Sequence, residues 1–373
     1  MKKKINIKNA IIFIPIIILM IISFLNMANA AIISSQYTNH LTRQIIWYGI
    51  GIIIVIAFLF IKPELIFKYS FWFYIINVSL LIFVLIFGKT INGSKAWFDL
   101  GIFSYQPSET MKLALLLYLI DFSIKHQNIK GFWLELKYIL QIIIITLVPA
   151  MLTFLEPDTG AIIIYFIIAL VILLNSKINK LWFIFFFCIF LIACTSFFIL
   201  FFKYQDTFVN IFGTSFFYRL DRLVDFQNGS GMQLENAIIA MSVSSTFGNG
   251  IKNYTLYFPE APTDFIFALT ITNFGFIGGI IVILTCLVLD VIILTIAFKN
   301  NNTKTKLLAL TLFSILAFQQ IQNIFMNIGL TPIIGIPLPF LSYGGTNLIV
   351  FFVILAILFK MLITKEKYPL RVF

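Results

Sequence analysis

Long apolar runs broken by short polar segments set the pattern of the chain. They lie near 10–33, 44–61, 69–87, 107–124, 138–155, 158–175, 181–202, 265–298, 307–328 and 343–363. Each is about as long as a bilayer-crossing helix requires, roughly 17–25 residues. The pattern predicts an all-α polytopic membrane protein with ten transmembrane helices. No Gly/Ser linker and no internal repeat divides it, so residues 1–373 read as a single integral membrane domain. The run 265–298 could hold two short spans broken at Gly275-Phe276-Ile277-Gly278-Gly279. One long tilted helix is the expectation, because two would carry Lys299, Lys304 and Lys306 outside.

Composition agrees with the pattern. With 61% hydrophobic and 11% charged residues among 373, the chain has too little charge to cover a soluble core of its size. Placing the Lys2-Lys3-Lys4 end inside puts most lysines and arginines in the inner loops and most acids outside, which predicts two cytoplasmic termini. The net charge of +11 is spread over small inner loops facing anionic lipid. It forms no aromatic-interleaved basic patch, which excludes nucleic acid as a partner. Cys188, Cys194 and Cys286 lie inside spans without metal-ligand spacing, and His40 and His126 fall on opposite sides. Ala28-Asn29-Ala30 imitates a signal-peptidase site, but the apolar region before it is long, so a retained first span is expected.

Two outer segments are longer than the rest: about 88–106, and the large extracytoplasmic loop between helices 7 and 8, about 203–262. Long ordered loops tend to be functional. Within the larger one, Phe208, Phe212, Phe216, Leu220 and Leu223 recur at helical spacing, with Arg219, Asp221 and Arg222 between them, as in an interfacial amphipathic helix. Ala237 to Phe247 is apolar but too short to span, so it reads as a re-entrant or interfacial piece. Pro332 to Gly345 holds three prolines and no charge, so it is expected to be irregular, packed on protein, and closing something from above.

Candidate chemistry collects at three acidic helix starts on the outer side. Gln106-Pro107-Ser108-Glu109 opens one helix, with Glu109 and Lys112 spaced to pair on one face. That pair is either a structural salt bridge or one whose lysine also reaches a diphosphate. Glu156-Pro157-Asp158-Thr159-Gly160 opens another, where Asp158 fits an N-cap. Asp264, in Pro262-Thr263-Asp264-Phe265-Ile266-Phe267, stands where a polar segment meets an apolar run. It is either a cap or a working carboxylate, since such a group is costly to hold in hydrocarbon. Together with Lys89, Lys95, Lys112, Arg219 and Arg222, these acids share the outer side. Glycosyl transfer from a lipid diphosphate needs that combination, a base for the attacking hydroxyl and cations for the leaving group.

The ordered series Lys95-Ala96-Trp97, Gln106-Pro107-Ser108-Glu109, Glu156-Pro157-Asp158-Thr159-Gly160, Thr263-Asp264-Phe265-Ile266-Phe267-Ala268 and Pro337-Leu338-Pro339-Phe340-Leu341-Ser342-Tyr343-Gly344-Gly345 resembles the SEDS family (RodA, FtsW, SpoVE) over nearly the whole chain. Trp97-Phe98-Asp99-Leu100-Gly101 leans slightly to the RodA branch. The resemblance implies a peptidoglycan glycosyltransferase of the bacterial cytoplasmic membrane that polymerises lipid II into glycan strands on the outer face. It implies as partners lipid II, the growing strand, a class B penicillin-binding protein and other elongasome or divisome membrane proteins. Asp264 corresponds to the family's catalytic aspartate, the base for the acceptor 4-hydroxyl in an inverting displacement of undecaprenyl diphosphate. Lys112, Glu109, Lys95, Asp158, Arg222 and Ser342 are the implied substrate-binding set. No cofactor follows, although a diphosphate leaving group leaves room for a divalent cation such as Mg2+.

The chain departs from the family where Ser242-Val243-Ser244-Ser245 and Gly248-Asn249-Gly250 replace Gly-Ser-Gly-Gly and Gly-Lys-Gly runs, where Thr272 and Asn273 replace two glutamates, and where Phe325 replaces a glycine. Two rival functions stay open: a lipid flippase or transporter, and a weakly active scaffold of the wall-building complex. Acids clustered at the outer surface, rather than near the midplane, favour chemistry over passage.

Overall fold

The computed structural model describes residues 10–91, 94–99, 101, 103–127, 129–214, 217, 231–250 and 257–364. Helices dominate it: α1 (Phe13–Ile33), α2 (His40–Phe58), the short α3 (Pro63–Lys68), α4 (Ser70–Phe87), α5 (Pro107–Lys125), α6 (Phe132–Leu155), α7 (Thr159–Leu174), α8 (Leu181–Lys203), α9 (Gln205–Phe212), α10 (Gly231–Ser242), α11 (Ile266–Lys299), α12 (Thr303–Asn327) and α13 (Gly345–Ile363). Every apolar run of the sequence becomes a helix. Among the described residues, eight of the helices are long and apolar enough to cross a membrane by length and composition, against an expectation of ten. The two that fall short have visible reasons. α5 carries Glu109, Lys112, Asp121 and Lys125 within its 19 residues, and α7 has only 16 residues.

The charged helix is the central one. α5 packs against α4, α7, α12 and α13, and most of its side chains are buried. Of its two internal ion pairs, Lys112 to Glu109 at 2.7 Å lies in that core, and Lys125 to Asp121 at 2.6 Å sits at its C-terminal end. α8 is the opposite case, an outlying helix of phenylalanines exposed along nearly its whole length. Its N-terminal end is anchored where Glu135 accepts from the Trp182 indole N–H at 2.9 Å.

The expectation of an all-α chain needs one correction. Segment 88–106 folds into a small antiparallel sheet of β1 (Lys89–Ile91), β2 (Ser94–Asp99) and β3 (Ser104–Tyr105), with Lys89 opposite Trp97 and Phe98 opposite Tyr105. Of the proposed amphipathic helix, only α9 is described; it buries Phe208 against Phe201 and Phe212. Phe216, Arg219, Leu220, Asp221, Arg222 and Leu223 lie outside the described residues.

α11 is not one unbroken rod. Its backbone leaves helical geometry at Gly275 (φ 70°, ψ −171°). A continuous helix would pair the Thr272 and Asn273 carbonyls with the N–H groups four residues on. The break frees both, and the 245–250 loop takes them: Asn249 N–H donates to Thr272 O at 3.0 Å and Gly250 N–H to Asn273 O at 3.2 Å. Ile277 N–H turns to Thr246 O at 3.4 Å. A kinked span survives in hydrocarbon only when its freed backbone groups find such partners. The backbone of Gly248-Asn249-Gly250 thus serves the helix break.

The two family glutamates replaced at 272 and 273 are also accounted for. The Thr272 hydroxyl bonds Ala268 O at 2.9 Å, and Asn273 joins an amide cluster with α1. Asn26 donates to Thr270 Oγ1 at 2.8 Å, Asn273 donates to Asn26 Oδ1 at 2.8 Å, and Asn29 donates to Asn273. Ala28-Asn29-Ala30 therefore sits within a packed helix. Phe325 points outward, 40% exposed, so it crowds nothing in the core.

Candidate active site

Four polar helix approaches converge on one cavity of about 470 Å³. The strand and helix starts around 97–112, the α7 start at 158–164, the turn at 260–264 and the Pro-rich segment at 335–347 all contribute walls. α2 adds His40, Arg43 and Trp47, and α12 adds Gln319.

The Pro-rich segment is irregular, as its prolines dictate, and its backbone groups are met one by one. Gln322 donates to Pro332 O at 3.0 Å and Asn323 to Ile336 O at 2.8 Å. Tyr48 donates to Phe340 O, Ser23 to Leu341 O at 2.7 Å, and Gln44 to Ser342 O at 3.2 Å. The segment is thereby fixed as one wall of the cavity.

Asp264 stands in a turn just before α11. Its backbone carbonyl accepts from Asn323 and Asn327, both at 2.9 Å, which anchors the turn to α12. The following Ala268 N–H is taken by Asn327 Oδ1 at 2.9 Å. The side chain does not cap α11; it lines the cavity instead. Among the described residues, no protein donor bonds the Asp264 carboxylate. Burial, and then the neighbouring negative Glu260, push its pKa up to about 7. Glu260 also lines the cavity, in a left-handed backbone conformation (φ 55°), and accepts from the Thr263 hydroxyl at 2.7 Å.

The remaining expected residues divide. Glu109 and Lys112 line the cavity as an ion pair: Lys112 holds Oε1 at 2.7 Å and Asn347 donates to Oε2 at 2.9 Å. Asp158 is a cap, accepting from Ala161 N–H at 3.0 Å. It also clasps α5, accepting from Ser108 Oγ at 2.8 Å and Gln106 Nε2 at 3.0 Å. Ser342 is a fastener and lies outside the cavity lining: its hydroxyl donates to Thr263 O at 2.7 Å and accepts from Leu338 N–H at 2.8 Å. Lys95 does not reach the cavity, because its ammonium donates to Ile86 O at 2.9 Å on the exposed side of the sheet. Lys89 is likewise occupied, by Asp99 at 2.8 Å. Arg222 lies outside the described residues.

Sequence reasoning missed Arg43, Glu260, Asn347 and Gln319. A signal existed for two of them. Arg43 is a lone arginine just before an apolar run, and Gln319 opens the run of amides Gln319, Gln320, Gln322, Asn323 and Asn327 inside an apolar span. Glu156 is a different surprise. It is fully buried, neither carboxyl oxygen has a hydrogen-bond partner among the described residues, and burial and then Asp158 push its pKa up to about 8. Among the described residues, no group of three or more His, Cys, Asp or Glu could hold a metal ion.

The comparisons with known proteins agree with this geometry. The model of the FtsW, RodA and SpoVE family, described as "Cell cycle protein", matches residues 7–367. The probable peptidoglycan glycosyltransferase FtsW of Wigglesworthia glossinidia brevipalpis is 31% identical, covering 96% of this chain and 94% of that protein. Stage V sporulation protein E of Bacillus subtilis is 31% identical, over 82% of each chain. Among solved structures, a chain from a peptidoglycan synthase complex that coordinates polymerization and crosslinking superposes with TM-score 0.75 at 22% identity, over 94% of this chain and 96% of that one. The rod shape determining protein RodA of Thermus thermophilus superposes with TM-score 0.66 at 22% identity, over 94% and 95%. The relatives span the FtsW, SpoVE and RodA branches without separating them. With its family model matched almost end to end, its sequence shared with FtsW and SpoVE and its fold with RodA, this membrane protein belongs to the FtsW/RodA/SpoVE family.

Proposed function

We propose that the cavity is the active site of a peptidoglycan glycosyltransferase that polymerises lipid II on the outer face of the bacterial cytoplasmic membrane. In this reading the chain makes ten passes, with α5 and α7 crossing inside the protein and both termini cytoplasmic. The observation that carries it is Asp264: a carboxylate on the cavity wall, free of protein donors among the described residues, held by backbone anchors rather than by its own oxygens.

The chemistry follows from that placement. Ionised Asp264 takes the proton of the acceptor sugar's 4-hydroxyl as the oxygen attacks the donor's anomeric carbon. The new glycosidic bond forms as the bond to the diphosphate oxygen breaks, with inversion, and undecaprenyl diphosphate leaves with the electron pair. A pKa near 7 suits a base that works at neutral pH. Arg43, exposed on the cavity lining, is placed to meet the leaving diphosphate, whereas Lys112 is neutralised by Glu109.

A class B penicillin-binding protein is the partner this reading calls for, supported by the resemblance to a chain from a synthase complex that couples polymerization to crosslinking. Incubation of the purified protein and that partner with lipid II is expected to give glycan strands. Asp264→Asn is expected to give none while inserting and folding normally; full activity in that variant would overturn the assignment.

A further inference from the structure

Asn327, Asn323 and Gln319 stand four residues apart on α12 and so share one face. The outer two commit their amides to backbone: Asn327 and Asn323 both donate to Asp264 O, and Asn323 also donates to Ile336 O. Gln319 does not. It is 0% exposed and lines the cavity, and among the described residues neither its Oε1 nor its Nε2 has a hydrogen-bond partner. Counting helix rise, it stands roughly 12 Å further in than Asn327. A buried amide in this state is penalised by lost solvation unless something bonds it.

We propose that Gln319 is a specificity-determining residue whose amide pairs with an acetamido group of the bound sugar. The inference rests on the glycosyltransferase reading and says which part of the substrate reaches the inner wall. A glutamine side chain presents a donor and an acceptor side by side. The acetamido carbonyl accepts from the Gln319 NH2 while a neighbouring sugar hydroxyl donates to the Gln319 carbonyl, so both unsatisfied atoms are met by one neutral face of the sugar. A phosphate offers nothing to the Gln319 carbonyl, and a cation nothing to its NH2. The nearby Lys112, Glu109 and Asn347 already bond one another, which leaves a neutral substituent as the fitting occupant of this wall.

The test uses the full-length protein with its transpeptidase partner, lipid II, and a lipid II analogue in which hydroxyls replace the acetamido groups. The wild type is expected to lose ~10- to 100-fold in kcat/KM on the analogue. Gln319→Leu should lose a similar factor on lipid II and no longer distinguish the two substrates. Gln319→Met, an unbranched chain of similar length, repeats the test if leucine disturbs packing, and Gln319→Glu, which keeps an acceptor and loses the donor, should fall between. A wild type that accepts both substrates equally, or apolar variants that keep the full preference for lipid II, would overturn the proposal and leave the glycosyltransferase reading intact; the latter result is what an amide bonded only to water would give. A wild type inert on both substrates would overturn that reading and this proposal together.

Discussion

Gly248 and Gly275 meet backbone to backbone. A Cβ on Gly248 would lie 2.3 Å from Asn273 O, and one on Gly275 would lie 2.1 Å from Thr246 O. Both have positive φ, 84° and 70°, a region that favours glycine. A side chain at either position is therefore both strained and blocked by main chain. Gly275→Ala is expected to destabilise the protein by about 2–4 kcal/mol, read as a lower thermal midpoint in detergent. Gly49→Ala is the control, since nothing lies within 4 Å of a Cβ there. Equal midpoints for the Gly275 and Gly49 variants would mean that the loop does not hold the break.

On the proposed mechanism the acid limb of the pH–rate profile is expected to follow Asp264. Below about 7 the base is protonated, so kcat/KM should fall roughly tenfold per pH unit, and above it the rate should level. Because Glu260 adds to the upward push, Glu260→Gln should move that limb to lower pH without abolishing activity. Polymerisation rates measured from pH 5 to 9 check this. An unmoved limb in the Glu260 variant would separate the two carboxylates.

How far the sequence reached depends on the kind of force involved. Apolar runs gave the helices, because hydrocarbon leaves no other use for such segments. The irregular Pro332–Gly345 wall was legible for the same reason: without charge or helix, it had to be met by protein. The single long span 266–299 was legible but its kink at Gly275 was not, because lysine sidedness constrains where a helix ends and says nothing of its interior. What repairs the break is a loop some 25 residues earlier in the chain. Lys95 was misplaced because charge counting assigns a side of the membrane but no direction, and the sheet turns its ammonium to Ile86 O. Glu260 went unseen because it is ordinary alone and becomes informative only where its neighbours converge, whereas Arg43 and the amide run opened by Gln319 carried a signal in the sequence.

Glu156 gives a stability signature separable from activity. Its folded-state pKa of about 8 lies above the ordinary 4.5. Between those values the unfolded chain has released the proton that the folded protein keeps, so stability falls as pH rises through that window. Glu156→Gln removes the titration. The variant is expected to be more stable than the wild type by about 1–3 kcal/mol near pH 8, with the advantage vanishing below pH 4.5. Thermal midpoints measured across that range check it. A constant difference between the two proteins would show that Glu156 is not the titrating group.

The amide cluster that joins α1 to α11 spans 244 to 247 positions of sequence. A polar side chain in lipid has few substitutes for its intended partner. The first helix therefore enters the bilayer with its asparagines uncommitted, and they stay so until the segment carrying Thr270 and Asn273 arrives much later in synthesis. Completion of the bundle is written into its opening span: a product terminated before Thr270 would display bare amides to lipid, the kind of defect by which a cell can tell an unfinished membrane protein from a finished one.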